Sequence, residues 1–128
     1  MPPPFLALVV DDSMLIRHTV CRFLETRGFQ VESATNGAEA LEMLSRIRPD
    51  IIVTDLQMPK MNGQELLVAL KARPETEAIP VIVLAGRQGS EPIDIQSKYI
   101  IHKDIDIVSQ LSRTVEAILP GSLSQQVP

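Results

Sequence analysis

The chain carries a single cysteine, Cys21, in 128 residues. One thiol excludes an internal disulfide and a multi-cysteine zinc site. Cys21 falls inside a helical pattern, so a packed or half-exposed thiol is expected rather than a nucleophile. Aromatic residues are scarce at 3%, and tryptophan is absent. Few stacking surfaces remain for single-stranded nucleic acid. Positive charge is also short: 12 Lys and Arg against 16 Asp and Glu leave a net charge of −4. That argues against direct nucleic-acid binding by this domain alone. No apolar run approaches the roughly 20 residues needed to span a bilayer. Met1-Pro2-Pro3-Pro4 has neither the basic start nor the long apolar stretch of a signal peptide. A cytoplasmic protein with no membrane contact is the expectation.

What is present is a globular composition, 45% hydrophobic and 22% charged, in a length that suits one domain. Two apolar runs end in acid. Phe5-Leu6-Ala7-Leu8-Val9-Val10 leads into Asp11-Asp12, and Ile51-Ile52-Val53 leads through Thr54 to Asp55. Three carboxylates in one pocket repel one another unless a cation or protons neutralise them. The pattern therefore points to a metal site and to chemistry.

Apolar runs alternate with helical patterns. Leu6 to Val10 reads as a buried strand, and Met14 to Arg27 as a helix with Ile16, Val20, Phe23 and Leu24 at helical spacing. Gly28 closes it. Gln30 to Ala34 is a second strand. Thr35 or Asn36 can cap a helix to about Ile47, with Ala40, Leu41 and Leu44 inward, and Pro49 stops it. Asp50 to Thr54 is the third strand. A helix starting near Asn62 or Gly63 carries Leu66, Leu67 and Leu70. Pro80 introduces a fourth strand, Val81 to Leu84, and Tyr99 to His102 is a short fifth. Asp104 can cap a last helix carrying Ile107, Val108, Leu111, Val115 and Ile118. Such alternation implies a parallel α/β sheet with helices on both faces. Ligands of these sheets bind outside the carboxyl ends of the strands, where Asp11, Asp12 and Asp55 all fall.

These residues carry a family resemblance. Val9-Val10-Asp11-Asp12, Asn36-Gly37-Ala38-Glu39-Ala40-Leu41, the run from Pro49 through Asp55-Leu56-Gln57-Met58-Pro59-Lys60-Met61-Asn62-Gly63, and finally Lys103 stand in an order highly specific in combination. The chain resembles the receiver domain of two-component response regulators, chemotaxis-regulator-like, over residues 5–119. Residues 120–128 read as a polar tail or the start of a linker.

The resemblance implies a flavodoxin-like, doubly wound five-stranded sheet of order 2-1-3-4-5. It implies a signalling domain rather than an enzyme, with only self-catalysed phosphoryl transfer and slow autodephosphorylation. Asp55 would accept a phosphoryl group from a sensor histidine kinase or phosphotransfer protein. Mg²⁺ would be bound by Asp12, Asp55 and the Gln57 backbone carbonyl, with Asp11 acting through water. Lys103 would contact the phosphoryl group, or pair with Asp55 in its absence. Gln57 and Arg87 would tune dephosphorylation. Met58-Pro59 and Gly63 shape the loop, and Gly63 is expected to supply a backbone angle that other residues resist. The output partner is unnamed, and a homodimer is compatible with the sequence.

Three departures stand out. The family has Thr or Ser at the end of the fourth strand, and here Ala85 takes that place. The switch hydroxyl is missing, although the backbone N–H of Gly86 could still serve the phosphate. Gly86, Gly89 and Pro92 disfavour the family's next helix, so a short or distorted turn is expected there. The switch aromatic is replaced by Ile100, with Tyr99 on the opposite face by strand alternation. His102 is expected to be a solvent-exposed strand-end residue. Two function classes follow: a phosphorylatable receiver with weakened or rerouted switching, and a degenerate receiver acting as a phosphorylation-independent interaction module. A flavin-binding protein is disfavoured, because no hydroxyl- and glycine-rich phosphate loop follows the first strand.

Overall fold

Five short apolar runs pair into one parallel sheet in the order β2-β1-β3-β4-β5. The structure is a computed structural model and describes residues 5–86, 99–103 and 106–121. The strands are β1 (Leu6–Val10), β2 (Gln30–Ala34), β3 (Ile51–Asp55), β4 (Val81–Ala85) and β5 (Tyr99–His102). The described helices are α1 (Met14–Thr26), α2 (Gly37–Met43), α3 (Gly63–Lys71) and α4 (Ile107–Ile118). β3 and β4 are buried at every residue, as expected of central strands covered on both faces. β2, at the edge, is mostly exposed instead, with Val31 half-buried and Ala34 buried.

The sheet separates two cores. Ala7, Val9, Val53, Ile82 and Leu84 pack with Val20, Phe23 and Leu24 of α1 and Leu111 and Val115 of α4. Leu8, Val10, Ile52, Val83 and Ala85 pack with Ala40 of α2 and Leu66, Leu67 and Leu70 of α3. Period-two alternation along each strand divides them. Tyr99 joins the first core and Ile100 the second, the opposition that alternation predicts.

Local chemistry sets the helix ends. Ser13, Asn36 and Asn62 cap α1, α2 and α3 through their side chains, and Glu65 completes a capping box with Asn62. Gly28 takes φ 92° just beyond α1, where glycine is suited. Several expectations need correction. β3 runs from Ile51 to Asp55, one residue later at both ends than expected, and β4 continues one residue further, to Ala85. α2 ends at Met43 rather than near Ile47. The N–H groups of Ser45 and Arg46 donate three residues back, and the Ser45 hydroxyl donates to the Glu42 carbonyl. These bonds draw the chain into tight turns before Pro49 can act. The cap of α4 is Asp106, which accepts from the Ser109 N–H; Asp104 lies outside the described residues. Val108 is 40% exposed and stands off the core face of α4. His102 is half-buried, because both of its backbone groups bond the Gln110 side chain of α4. The expected distorted helix after Gly86 and the position of Arg87 lie outside the described residues.

Candidate functional site

Two neighbouring strands end in acid, and β5 brings a base to them. Asp11 follows β1 and is fully buried. Its N–H donates to the Ala34 carbonyl, which extends the β1–β2 pairing by one residue and turns the side chain inward. Asp12, one residue on, is exposed. Asp55 is 4% exposed at the end of β3. One ligand oxygen from each of the three carboxylates lies within 4.8 Å of the others.

Lys103 follows β5, where its N–H donates to the carbonyls of Ala85 and Gly86. That backbone tie aims the side chain across the end of β4. The ammonium Nζ sits 2.8 Å from Asp55 Oδ1 and 3.5 Å from Asp11 Oδ2. Burial alone would lower the Lys103 pKa, but the hydrogen bond it donates to Asp55 and the charges of Asp11 and Asp55 raise it above its ordinary value. Lys103 is therefore a fixed cation at neutral pH.

Asp11 is the costly member. Burial raises its carboxyl above the usual carboxylate range, and the charge of Asp55 adds to the rise; the Ser13 N–H and Lys103 oppose it. Its Oδ1 accepts from Ser13 at 2.8 Å. Its buried Oδ2 makes no hydrogen bond and has only the long ion pair with Lys103, at 3.5 Å. With all three acids ionised, three carboxylates and one ammonium sum to a charge of −2. An all-oxygen, doubly negative cluster with an unsatisfied carboxylate oxygen fits a hard divalent cation.

Sequence reasoning missed two contacts here. Arg17 Nη1 donates to the Asp11 carbonyl at 2.8 Å, tying the first turns of α1 to the end of β1. The signal for it is a basic residue one turn into the helix behind the acid pair. The Thr54 hydroxyl donates to the Asp55 carbonyl at 3.0 Å. Its signal is a lone hydroxyl in an otherwise apolar strand.

The loop after β3 is clamped from two sides. A Cβ on Gly63 would stand 2.1 Å from the Asp55 carbonyl oxygen and 2.9 Å from Leu56 Cα. The Gly63 N–H donates to the Leu56 carbonyl at 3.0 Å. Its φ is not in the left-handed region, which corrects the expected role: close approach, not backbone angle, calls for glycine there. The unusual angle belongs to Lys60, at φ 66°. From α2, the Gly37 N–H donates to the Met61 carbonyl at 2.9 Å.

The remaining site residues take different places. Gln57 is exposed on this loop. Ala85 is fully buried in the core beneath α3, and Gly86 is exposed. Among the described residues, β4 itself carries no polar side chain at its carboxyl end.

The sequence pattern of the family described as "Response regulator receiver domain" matches residues 7–114. The chain belongs to that family. Response regulator MprA of Mycobacterium leprae (strain TN) is 41% identical over 80 residues, which cover 62% of this chain and 34% of that protein. Residues matching MprA of Mycobacterium sp. (strain KMS) are 38% identical over 84 residues and cover 36% of it. The receiver domain thus spans about a third of the length of these relatives. Among solved structures, chemotaxis response regulator CheY4 of Vibrio cholerae superimposes with a TM-score of 0.81 at 28% identity, over 91% of this chain and 99% of that one. The receiver domain of a signal transduction histidine kinase from Syntrophus aciditrophicus gives 0.81 at 34% identity, over 91% of each chain. The five-stranded parallel order of this receiver is the flavodoxin-like, CheY-like fold. Receivers are signalling domains of two-component systems and work with histidine kinases or phosphotransfer proteins. No described helix is long and apolar enough to cross a membrane.

Proposed function

We propose that Asp55 accepts a phosphoryl group from the phosphohistidine of a sensor kinase or phosphotransfer protein, in a cytoplasmic two-component pathway. The observation that carries this reading is Lys103 Nζ at 2.8 Å from Asp55 Oδ1, with Asp11 and Asp12 beside them. An Asp55 carboxylate oxygen attacks phosphorus as the P–N bond to the donor imidazole breaks. The electron pair leaves on the imidazole nitrogen, which takes up a proton. Asp55 is a weak nucleophile, so position and charge neutralisation supply the rate. Lys103 moves from the carboxylate to the arriving phosphoryl oxygens. Its ammonium is held by the β5 end and needs no large displacement.

Asp12, Asp55 and the Gln57 backbone carbonyl would hold Mg²⁺, with Asp11 acting through water. The ion would supply charge neutralisation for the phosphoryl oxygens. The charge of −2 and the unsatisfied Asp11 oxygen support this ligand set. Residues 5–119 would form the receiver unit, and 120–128 a tail or linker to an output partner of unnamed chemistry. Association into a homodimer is compatible with the reading.

The test follows backbone NMR shifts as Mg²⁺ and beryllofluoride are added. Shifts at Asp11 to Ser13, Asp55 to Gly63 and Lys103 are expected, with none in Asp55→Asn. Phosphoramidate with Mg²⁺ should then label the wild type and not the variant. Silence at Asp55 under both reagents would overturn the acceptor role and leave an interaction module that works without phosphate.

A further inference from the structure

Thr54 is the one described polar residue within the buried strands β3 and β4 apart from Asp55 itself. A buried hydroxyl without a partner is destabilising, so it must find an acceptor. Its acceptor is the carbonyl of Asp55, at 3.0 Å. That carbonyl belongs to the peptide leading out of the strand, past the last β1–β3 pair, Val10 with Thr54. Gly63 closes on the same oxygen, so close that a Cβ there would overlap it. The peptide between Asp55 and Leu56 is therefore held at its N–H by the Leu84 carbonyl of β4, and at its carbonyl by the Thr54 hydroxyl and the packed start of α3.

Peptide orientation has a direct consequence at this point. It sets the ψ angle of Asp55 and the direction in which Leu56 and Gln57 depart. The carboxylate and the Gln57 carbonyl hang on either side of that peptide. A rotation there moves both groups relative to Lys103 and Asp11, whose own backbones are tied elsewhere, to Ala85 and Gly86 and to Ala34. Thr54 also lies on the sheet face of Val83 and Ala85, opposite Val83 in register. The hydroxyl missing at Ala85 thus has a neighbour one strand away, directed at the acceptor's backbone rather than at a phosphate.

We infer that Thr54 is a positioning residue for transfer to Asp55. Its hydroxyl holds the Asp55–Leu56 peptide so that the carboxylate and the Gln57 carbonyl face the same point. This inference rests on the acceptor role proposed above. The competing account is that the hydroxyl merely satisfies itself on the nearest carbonyl and does nothing for the site.

The experiment compares wild type, Thr54→Val and Thr54→Ser for phosphorylation by phosphoramidate at saturating Mg²⁺ and donor, with thermal denaturation alongside. Valine keeps the shape and removes only the hydroxyl; serine keeps the hydroxyl. The Val variant should remain folded and lose about tenfold in the saturated transfer rate, the rate equivalent of one hydrogen bond. The Ser variant should recover most of that loss. Equal rates for wild type and the folded Val variant overturn the positioning role while leaving the acceptor role standing. A slowed Ser variant matching Val overturns it too, since shape and not the hydroxyl would then matter. Absence of labelling in the wild type, or labelling that persists in Asp55→Asn, is instead the failure of the acceptor reading itself.

Discussion

β3 and β4 run side by side, parallel and buried along their full lengths, yet they end in opposite chemistry. β3 ends in Asp55, with a lysine ammonium at 2.8 Å and two further carboxylates nearby. β4 ends in Ala85, a methyl group packed in the core. The first strand end is built to take on charge. Among the described residues, the second offers no polar side chain of its own to sense it. A conformational equilibrium moves only through contacts that differ between its states. Under the proposed function, accepting a phosphoryl group and reporting it are thus separable properties of adjacent strands, and the described side chains support the first.

The sharpest way to break the β3 side is Gly63→Ala. The added methyl would meet the Asp55 carbonyl oxygen at 2.1 Å and Leu56 Cα at 2.9 Å. Both are backbone atoms at the join of β3 and its loop, so neither can rotate away. The variant should lose roughly 3 kcal/mol or more of stability, at the upper end of overpacking costs. Urea denaturation measures it. A loss below about 1 kcal/mol would mean that the loop can shift freely, and the clamp on Asp55 would be illusory.

Equipping the β4 side is the converse. Ala85→Ser adds one hydroxyl to a buried position beside the site. A hydrogen bond to a charged group is worth about 1.5–3 kcal/mol. In the resting protein the new hydroxyl should be neutral or mildly destabilising. With Mg²⁺ and beryllofluoride the variant should show NMR shifts that spread to Ile100 on β5, whereas the wild type keeps them within the acid pocket. Wild-type shifts already reaching Ile100 would show that β4 reports without a hydroxyl, and the contrast between the strands would dissolve.

Much of this contrast was legible in the residues. Five-residue apolar runs such as Leu6–Val10 and Val81–Ala85 admit few alternatives to buried parallel strands, and acids at their carboxyl ends locate the pocket. Lys103 was legible only through the family's order of motifs, because a lysine after a short strand is ordinarily a solvated one. Which acid of the pair is buried was not legible: Asp11 turns inward because its N–H pairs with Ala34 across the sheet, a non-local fact. The same holds for Gly63, whose need for a bare Cα arises from a carbonyl eight residues back in the chain. Asp104 and Asp106 are equally good caps by composition. The stripe formed by Leu111 and Val115 must face the sheet, and that selects the start of α4.

Asp11→Asn sharpens the comparison by a smaller amount. Burial raises the Asp11 carboxyl above its model-compound value of 3.8. The protonated acid is then favoured by folding. Its contribution to stability is complete below pH 3.8 and is lost as pH rises through the folded value. Asparagine keeps an oxygen for the Ser13 N–H and carries no charge at any pH. In the absence of divalent cations the variant should exceed wild type by on the order of 1 kcal/mol at pH 7, and the gap should close toward acid. Thermal melts across that range measure it. Millimolar Mg²⁺ should narrow the gap at neutral pH by stabilising the wild type more than the variant.

The smallest effect tests whether strain is stored on the β3 side. Lys60 holds φ 66° between Pro59 and Met61, a left-handed conformation that costs a non-glycine residue roughly 1–2 kcal/mol. Its neighbours hold it there: Met61 is bonded by Gly37 from α2, and Asn62 is locked in the cap of α3. Lys60→Gly removes the side-chain clash but gives the unfolded chain more freedom. The net should be a gain of about 0.5–1 kcal/mol, read as a higher denaturant midpoint at unchanged slope. Transfer to Asp55 should be unaffected, because the Asp55–Leu56 peptide is held by Leu84, Thr54 and Gly63 rather than by Lys60. A variant that gains stability but slows transfer would show that the strained turn itself helps to aim the acceptor. The boundary of the β3 machinery would then have to move outward to include Lys60.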